Sequence, residues 1–183
     1  GFGSVNRVTF KKPYKGYTEA AAKKMFESAE KEVEIMSKLQ HPNIVPLFGY
    51  CQTPHMSVIL LEYAPLGSLQ GYLSDESKDL PASLKRHWTK ESALGIQYLH
   101  GNDILHRDIK ANNCLLFDGL VLKLCDFGLA REIDHSQTTS SMKGTYRYMA
   151  PELIQQNESG RSVYSKRTDI YAYGMLILEI HTR

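Results

Sequence analysis

The stretch His106-Arg107-Asp108-Ile109-Lys110-Ala111-Asn112-Asn113 sets an aspartate, a lysine and a carboxamide within a few residues of one another, and a second aspartate follows in Asp126-Phe127-Gly128. These are the side chains that phosphate chemistry needs. Carboxylate and amide oxygens are hard donors suited to a magnesium ion, a lysine neutralises phosphate charge, and an aspartate left free orients a hydroxyl and takes its proton. The order and spacing predict a phosphoryl-transfer site.

The flanking segments must hold these groups. A helix is predicted from about Ser83 to His100, with Leu84, Trp88, Leu94, Tyr98 and Leu99 inward and Lys85, Arg86, Lys90 and Glu91 outward; Gly101-Asn102 ends it. Asn113 to Leu116 and Leu120 to Leu124 read as strands about the Asp118-Gly119 turn. Upstream, Phe26, Ala29, Val33, Met36 and Leu39 recur at helical spacing between Lys24 and Leu39, and Pro42 stops that helix. Lys11 to Thr18 reads as a polar connector, and Val45 to Tyr50 and Val58 to Glu62 as strands. Ala64-Pro65-Leu66-Gly67-Ser68 is breaker-rich and divides a strand-rich part, 1–67, from a helical part, 68–183. Glu132 to Lys143, full of hydroxyls, reads as a mobile surface loop, and a buried helix closes the chain from Ser165 to His181 with Ile170, Tyr173, Leu176, Ile177 and Ile180 on one face.

Composition limits the alternatives. The 183 residues carry 42% hydrophobic and 23% charged side chains, which is ordinary for a globular protein with a sizeable core. A formal charge of +2 lacks the basic excess of a nucleic-acid binder, so no nucleic-acid partner is expected. The apolar runs Val58 to Leu61 and Met175 to Leu178 are too short to span a bilayer. Cys51, Cys114 and Cys125 are odd in number and scattered, which favours reduced thiols and a cytoplasmic location.

Taken in order along the chain, these motifs resemble the eukaryotic protein kinase catalytic domain, and within it the serine/threonine-specific, tyrosine-kinase-like group, similar to mixed-lineage and MAP-kinase-kinase-kinase-type enzymes. The resemblance implies a two-lobed α+β fold, with a small antiparallel-sheet lobe carrying one helix and a mainly helical second lobe. It implies ATP and Mg2+ as cofactors and a protein substrate with a serine or threonine acceptor. Phe2, Gly3 and Val5 correspond to the tail of the glycine-rich loop, whose two preceding glycines are absent. Ala21 would cover the adenine, Lys23 would touch the phosphates, and Glu32, with Glu34 as runner-up, would pair with Lys23. Leu61, Glu62 and Ala64 would line the hinge side of the nucleotide site, with Leu115, Cys125 and Asp126 also around it. Asp108 would orient the acceptor hydroxyl, Lys110 would neutralise the moving phosphate, and Asn113 and Asp126 would hold the metal. Thr145, in the peptide-receiving segment Gly144 to Glu152, would bond to Lys110 and Asp108. His106 and Phe127 would stack with Met36 and Leu47 as packing groups, and Asp169 would brace the catalytic-loop backbone.

Arg107 is expected to present an unpaired guanidinium to a phosphate placed between Thr138 and Ser141, by an upstream kinase or by autophosphorylation. A complete family member has a strand before Gly1 and helices after Arg183, so the chain reads as truncated at both ends and as weakly active or inactive on its own. The rival readings are a pseudokinase scaffold, a dual-specificity kinase and a small-molecule phosphotransferase.

Overall fold

The computed structural model describes residues 4–133, 139–140, 145–154 and 162–183. Alternation and β-branched residues build β1 (Val5–Tyr14) and β2 (Tyr17–Met25), joined at Lys15-Gly16, both at positive φ of 49° and 87°. The expected connector is therefore mostly strand. Phe10, Tyr14, Tyr17 and Phe48 pack their rings together at centroid distances of 4.7–6.3 Å, which rewards continuing the strands to the turn. With β3 (Leu47–Thr53) and β4 (Met56–Leu61) they form a four-stranded sheet in the order β1-β2-β4-β3, antiparallel throughout.

Helix α1 (Glu30–Ser37) is shorter than its periodicity predicts. Lys23, Lys24 and Met25 stay in β2, paired with Ile59, Val58 and Ser57, so the helix starts only after the chain leaves the sheet. Phe26 consequently projects into solvent, 83% exposed, instead of joining the packed face, while Ala29 and Met36 are buried at 2% each. Val45 lies outside β3, although its N–H donates to Leu124 O at 2.9 Å.

Past the crossing, Ser68 caps α2 (Leu69–Ser74) by accepting from Gly71 N–H at 3.2 Å. Helix α3 (Ala82–Gly101) buries Trp88 and Leu99 completely, whereas Leu94, expected inward, is 38% exposed. Asn102 closes α3 with its side chain on Tyr98 O at 2.8 Å. Strand β5 (Ile104–Leu105) pairs with β8 (Arg131–Glu132); β6 (Cys114–Leu116) pairs with β7 (Leu122–Leu124) about Gly119 at φ 74°. Asn113 sits in a short 3-10 turn before β6.

Of the hydroxyl-rich stretch, Glu132 belongs to β8, Ile133 donates its N–H to Asp103 O at 2.7 Å, and Thr139–Ser140 form β9, paired with β10 (Ser162–Val163). Residues 134–138 and 141–143 lie outside the described residues. A four-residue helix α4 (Pro151–Ile154) precedes α5 (Lys166–Thr182), which opens with Ser165 N–H donating to Thr168 Oγ1 at 3.1 Å. Leu176 and Ile180 are fully buried, but Ile170, expected on the packed face, is 52% exposed because Thr168, Asp169 and Ala172 face inward at that end. No helix among the described residues is long and apolar enough to cross a membrane.

Candidate active site

The catalytic-type loop between β5 and β6 is hung on a helix distant in sequence. Asp169, in the first turn of α5 and only 2% exposed, accepts from Arg107 N–H through Oδ1 at 2.9 Å and from His106 N–H through Oδ2 at 2.9 Å. A carboxylate suits the helix N-terminus electrostatically. His100, from the last turn of α3, donates Nε2 to the same Oδ2 at 3.0 Å. Nothing about His100 in the sequence marks it for this contact.

Those bonds fix a turn with Arg107 at φ 68°, which aims Asp108 across the loop. Lys110 Nζ reaches Asp108 Oδ2 at 2.7 Å and donates to Thr145 Oγ1 at 2.8 Å, while Thr145 donates to Asp108 Oδ1 at 3.2 Å. Asn113 Nδ2 donates to Asp108 O at 2.8 Å and Oδ2 at 2.9 Å. This orientation leaves the Asn113 amide oxygen, a hard donor, for another partner. Asp108, Lys110, Asn113 and Thr145 thus form one bonded group.

A second group assembles from the sheet, α1 and the turn after β7. Lys23 Nζ lies 2.8 Å from Glu32 Oε1 and 2.8 Å from Asp126 Oδ1. Glu32, not Glu34, is the partner: Glu32 is 4% exposed on the packed edge of α1, and Glu34 pairs outward with Lys38 at 3.4 Å. Burial disfavours the Lys23 charge, but the two carboxylates outweigh it and hold the ammonium above its ordinary value. Burial likewise penalises the Asp126 carboxylate; Lys23 overcomes this and holds its pKa below the usual carboxylate range. Both groups are therefore held in their charged forms.

His106 and Phe127 pack at 5.1 Å between centroids, and Phe127 lies in one apolar cluster with Met36 and partly buried Leu47. His106 Nε2 bonds Cys125 O at 3.0 Å, and Nδ1 receives Asp108 N–H at 3.3 Å, so both ring nitrogens are occupied structurally.

The remaining predicted residues come from the sheet, the crossing after β4, and the β6–β7 ribbon with the residue that follows it. Val5, opposite Lys23 in register, is 64% exposed; Ala21, Glu62, Ala64 and Leu115 are partly buried and Leu61 is 8% exposed. Cys125 is buried, and burial followed by the Asp126 charge pushes its thiol far up, which makes it a small apolar wall. Cys114 is pushed up to about 12 by burial. Phe2 and Gly3 lie outside the described residues.

Arg107 departs from its expectation. Its guanidinium is not unpaired: it is 8% exposed and stacks over the Tyr164 ring at 3.9 Å, with burial lowering its pKa. The approach segment before α5 brings Tyr164 beneath it, a placement invisible in chain order. Of the expected phosphorylation segment, Thr138 and Ser141 lie outside the described residues; only the Thr139–Ser140 backbone is placed, in β9.

The sheet with its single helix, the helical second part and the two polar groups between them define a phosphotransferase fold of the kinase type. Residues 4–183 match the family described as protein kinase domain, and the chain belongs to that family. It is 38% identical to the dual specificity protein kinase shkC of Dictyostelium discoideum, over 96% of this chain and 37% of that protein. It is 38% identical to mitogen-activated protein kinase kinase kinase zak-1 of Caenorhabditis elegans, over 98% of this chain and 25% of that protein. Human mitogen-activated protein kinase kinase kinase 19 is 37% identical over 88% of this chain and 12% of its own length. The chain spans well under half of each of these curated relatives.

Proposed function

We propose that this chain transfers the γ-phosphoryl group of ATP to serine or threonine hydroxyls of protein substrates in intracellular signalling. The observation that carries the reading is the convergence of two groups, Lys23 held between Glu32 and Asp126, and Asp108 held by Lys110, Thr145 and Asn113. A scaffold has no need of either.

Lys23 is the cation for the proximal phosphates, and Glu32 and Asp126 keep it charged and in place. Asp108 accepts the proton of the acceptor hydroxyl while Lys110 stands beside it to balance charge on the moving phosphoryl oxygens. Thr145 links that pair to the segment that receives the substrate. Asn113 Oδ1 and the Asp126 carboxylate are the oxygens that would hold Mg2+, which characteristically takes one or two protein oxygens and fills the rest of its shell with phosphate and water. The bound metal would neutralise phosphate charge. Phosphorylation within Thr138 to Ser141, by an upstream kinase or in cis, belongs to the same proposal; Arg131 lies near enough to Arg107 to bear on its charge, so an anion there would relieve like-charge repulsion.

The test is incorporation of labelled phosphate from MgATP into protein acceptors by the full chain, with Asp108→Asn beside it. Loss of the general base lowers transfer by about 10²–10⁴-fold. Equal incorporation by both proteins refutes the reading, and phosphotyrosine among the products would make the enzyme dual-specific, as the shkC relative is named.

A further inference from the structure

We infer that Lys123 is a positioning residue that sets nucleotide affinity by latching the hinge to the floor of the purine slot. Lys123 Nζ bonds Glu62 Oε2 across the junction of the two parts, with side chains only 16% and 12% exposed. The same ammonium lies 4.4 Å from the centroid of the Phe117 ring, which fixes it from the other side. Neither lysine nor glutamate is part of the two catalytic groups described above.

The register explains why this pair matters. Leu115 of β6 is directly paired with Lys123 of β7, so their side chains share one face of that ribbon. Ala21 of β2 is directly paired with Leu61 of β4, whose chain continues into Glu62. A circuit therefore runs from Ala21 on one side of the slot to Leu61, Glu62, Lys123 and Leu115 on the other. Strand pairing closes two of its links and the chain itself a third. The remaining link is the Glu62–Lys123 ion pair, and it is the only side-chain bond in the circuit.

Cutting it would leave the spacing of Ala21 and Leu115 to backbone ties alone, those of residues 43–45 to Leu124 and of residues 66–68 to β6. A flat aromatic ring gains from a slot already at its bound width, because the slot then loses little freedom on binding. Phosphoryl transfer itself depends on Asp108 and Lys110, which the latch does not touch. The pair should therefore appear in affinity and not in turnover.

This inference rests on the ATP reading, and the experiment separates the two. Binding of MgATP is measured by calorimetry, and KM and kcat by phosphate transfer, on the full chain carrying Lys123→Met, Lys123→Arg, Glu62→Gln or Lys123→Met with Glu62→Gln. Removing one partner of a largely buried pair strands the other charge, so Lys123→Met is expected to raise the MgATP Kd and KM about tenfold while kcat stays within about twofold. Lys123→Arg keeps a cation in reach and restores KM; the double variant is no weaker than the weaker single one, since both cut the same link. Unchanged affinity in Lys123→Met and Glu62→Gln, or a fall in kcat at constant KM, overturns the latch. If Lys123→Met does not fold, Lys123→Gln, which removes the charge and keeps a polar side chain, decides the matter by the same two readouts. A wild-type chain that neither binds MgATP nor transfers phosphate sinks the ATP reading instead.

Discussion

Replacing Asp169 by asparagine tests whether the catalytic-type loop is held from α5. Asp169 accepts three bonds, from Arg107 N–H at 2.9 Å, His106 N–H at 2.9 Å and His100 Nε2 at 3.0 Å. Asparagine matches the shape but turns one oxygen into an N–H2 donor. Whichever way the amide is turned, a buried backbone N–H then faces a donor. A lost bond to a charged acceptor is worth about 1.5–3 kcal/mol and a stranded buried donor about 1–3 kcal/mol, so the variant is expected to lose roughly 3–5 kcal/mol of stability. For a chain of this size that lowers Tm by roughly 6–20 °C, read by circular dichroism. The Arg107 turn at φ 68° also loses its tie, and Asp108 moves with it. A displacement of about 1 Å at the reacting groups costs on the order of 10²-fold in rate, so kcat falls. A variant melting with the wild type, or one that loses MgATP affinity at unchanged kcat, would refute the brace.

Gly95→Ala tests packing between α3 and the strand beneath it: the added Cβ would meet Asn43 O and Leu124 Cδ1, both at 2.9 Å, and Asn43 O is already fixed by Leu124 N–H at 2.9 Å. The overpacking cost of about 1–3 kcal/mol exceeds the helical advantage of alanine, so the denaturation midpoint drops; a raised midpoint contradicts this packing. The pH dependence of the Lys23 cluster follows from its shifts. Asp126, lowered from an ordinary 3.8, contributes stability that is present above that value and lost as pH falls through its lower folded value. Lys23, raised from 10.5, contributes fully below 10.5 and loses its share as pH rises through its higher folded value. The Tm difference between wild type and Asp126→Asn is therefore expected to stay constant from roughly pH 5 to 9, and a difference that collapses inside that window argues against the ion cluster.

The sequence was most legible where local chemistry and spacing coincide. Asp108, Lys110 and Asn113 share one loop and Asp126 follows in a second acidic turn, so residue types and chain order group them; Lys23 joins them only through the family pattern. The Asp118-Gly119 turn and the end of α3 at Asn102 were readable because turns and caps have local side-chain requirements. Helical periodicity misled at Lys24 to Phe26, where pairing with β4 outweighs helix propensity and leaves Phe26 outside. It misled again at Leu94 and Ile170, since a period says which residues share a face and not how far a neighbour extends over it. His100, Lys123 and Tyr164 could not be found, because each matters through a partner far away in the chain, at Asp169, Glu62 and Arg107.

Asp108 and Asp126 each lie at or beside a left-handed backbone position, Arg107 at φ 68° and Asp126 at φ 62°, and a non-glycine residue there costs about 1–2 kcal/mol. The compensation is one closed ring of bonds. His106 Nε2 bonds Cys125 O at 3.0 Å, Cys125 N–H donates to Asn113 O at 2.9 Å, and Asn113 Nδ2 donates to Asp108 Oδ2 at 2.9 Å, two residues on from His106. The Cys125 peptide is thus gripped at its carbonyl and its N–H immediately before the strained Asp126. One ring fixes Asp108, Asn113 and the entry to Asp126 relative to one another, and Asp169 ties that ring to α5 through His106 N–H. Strain at two adjacent turns is therefore offset by a single buried network, and a substitution at any member is expected to disturb Asn113, Asp126 and Asp108 together.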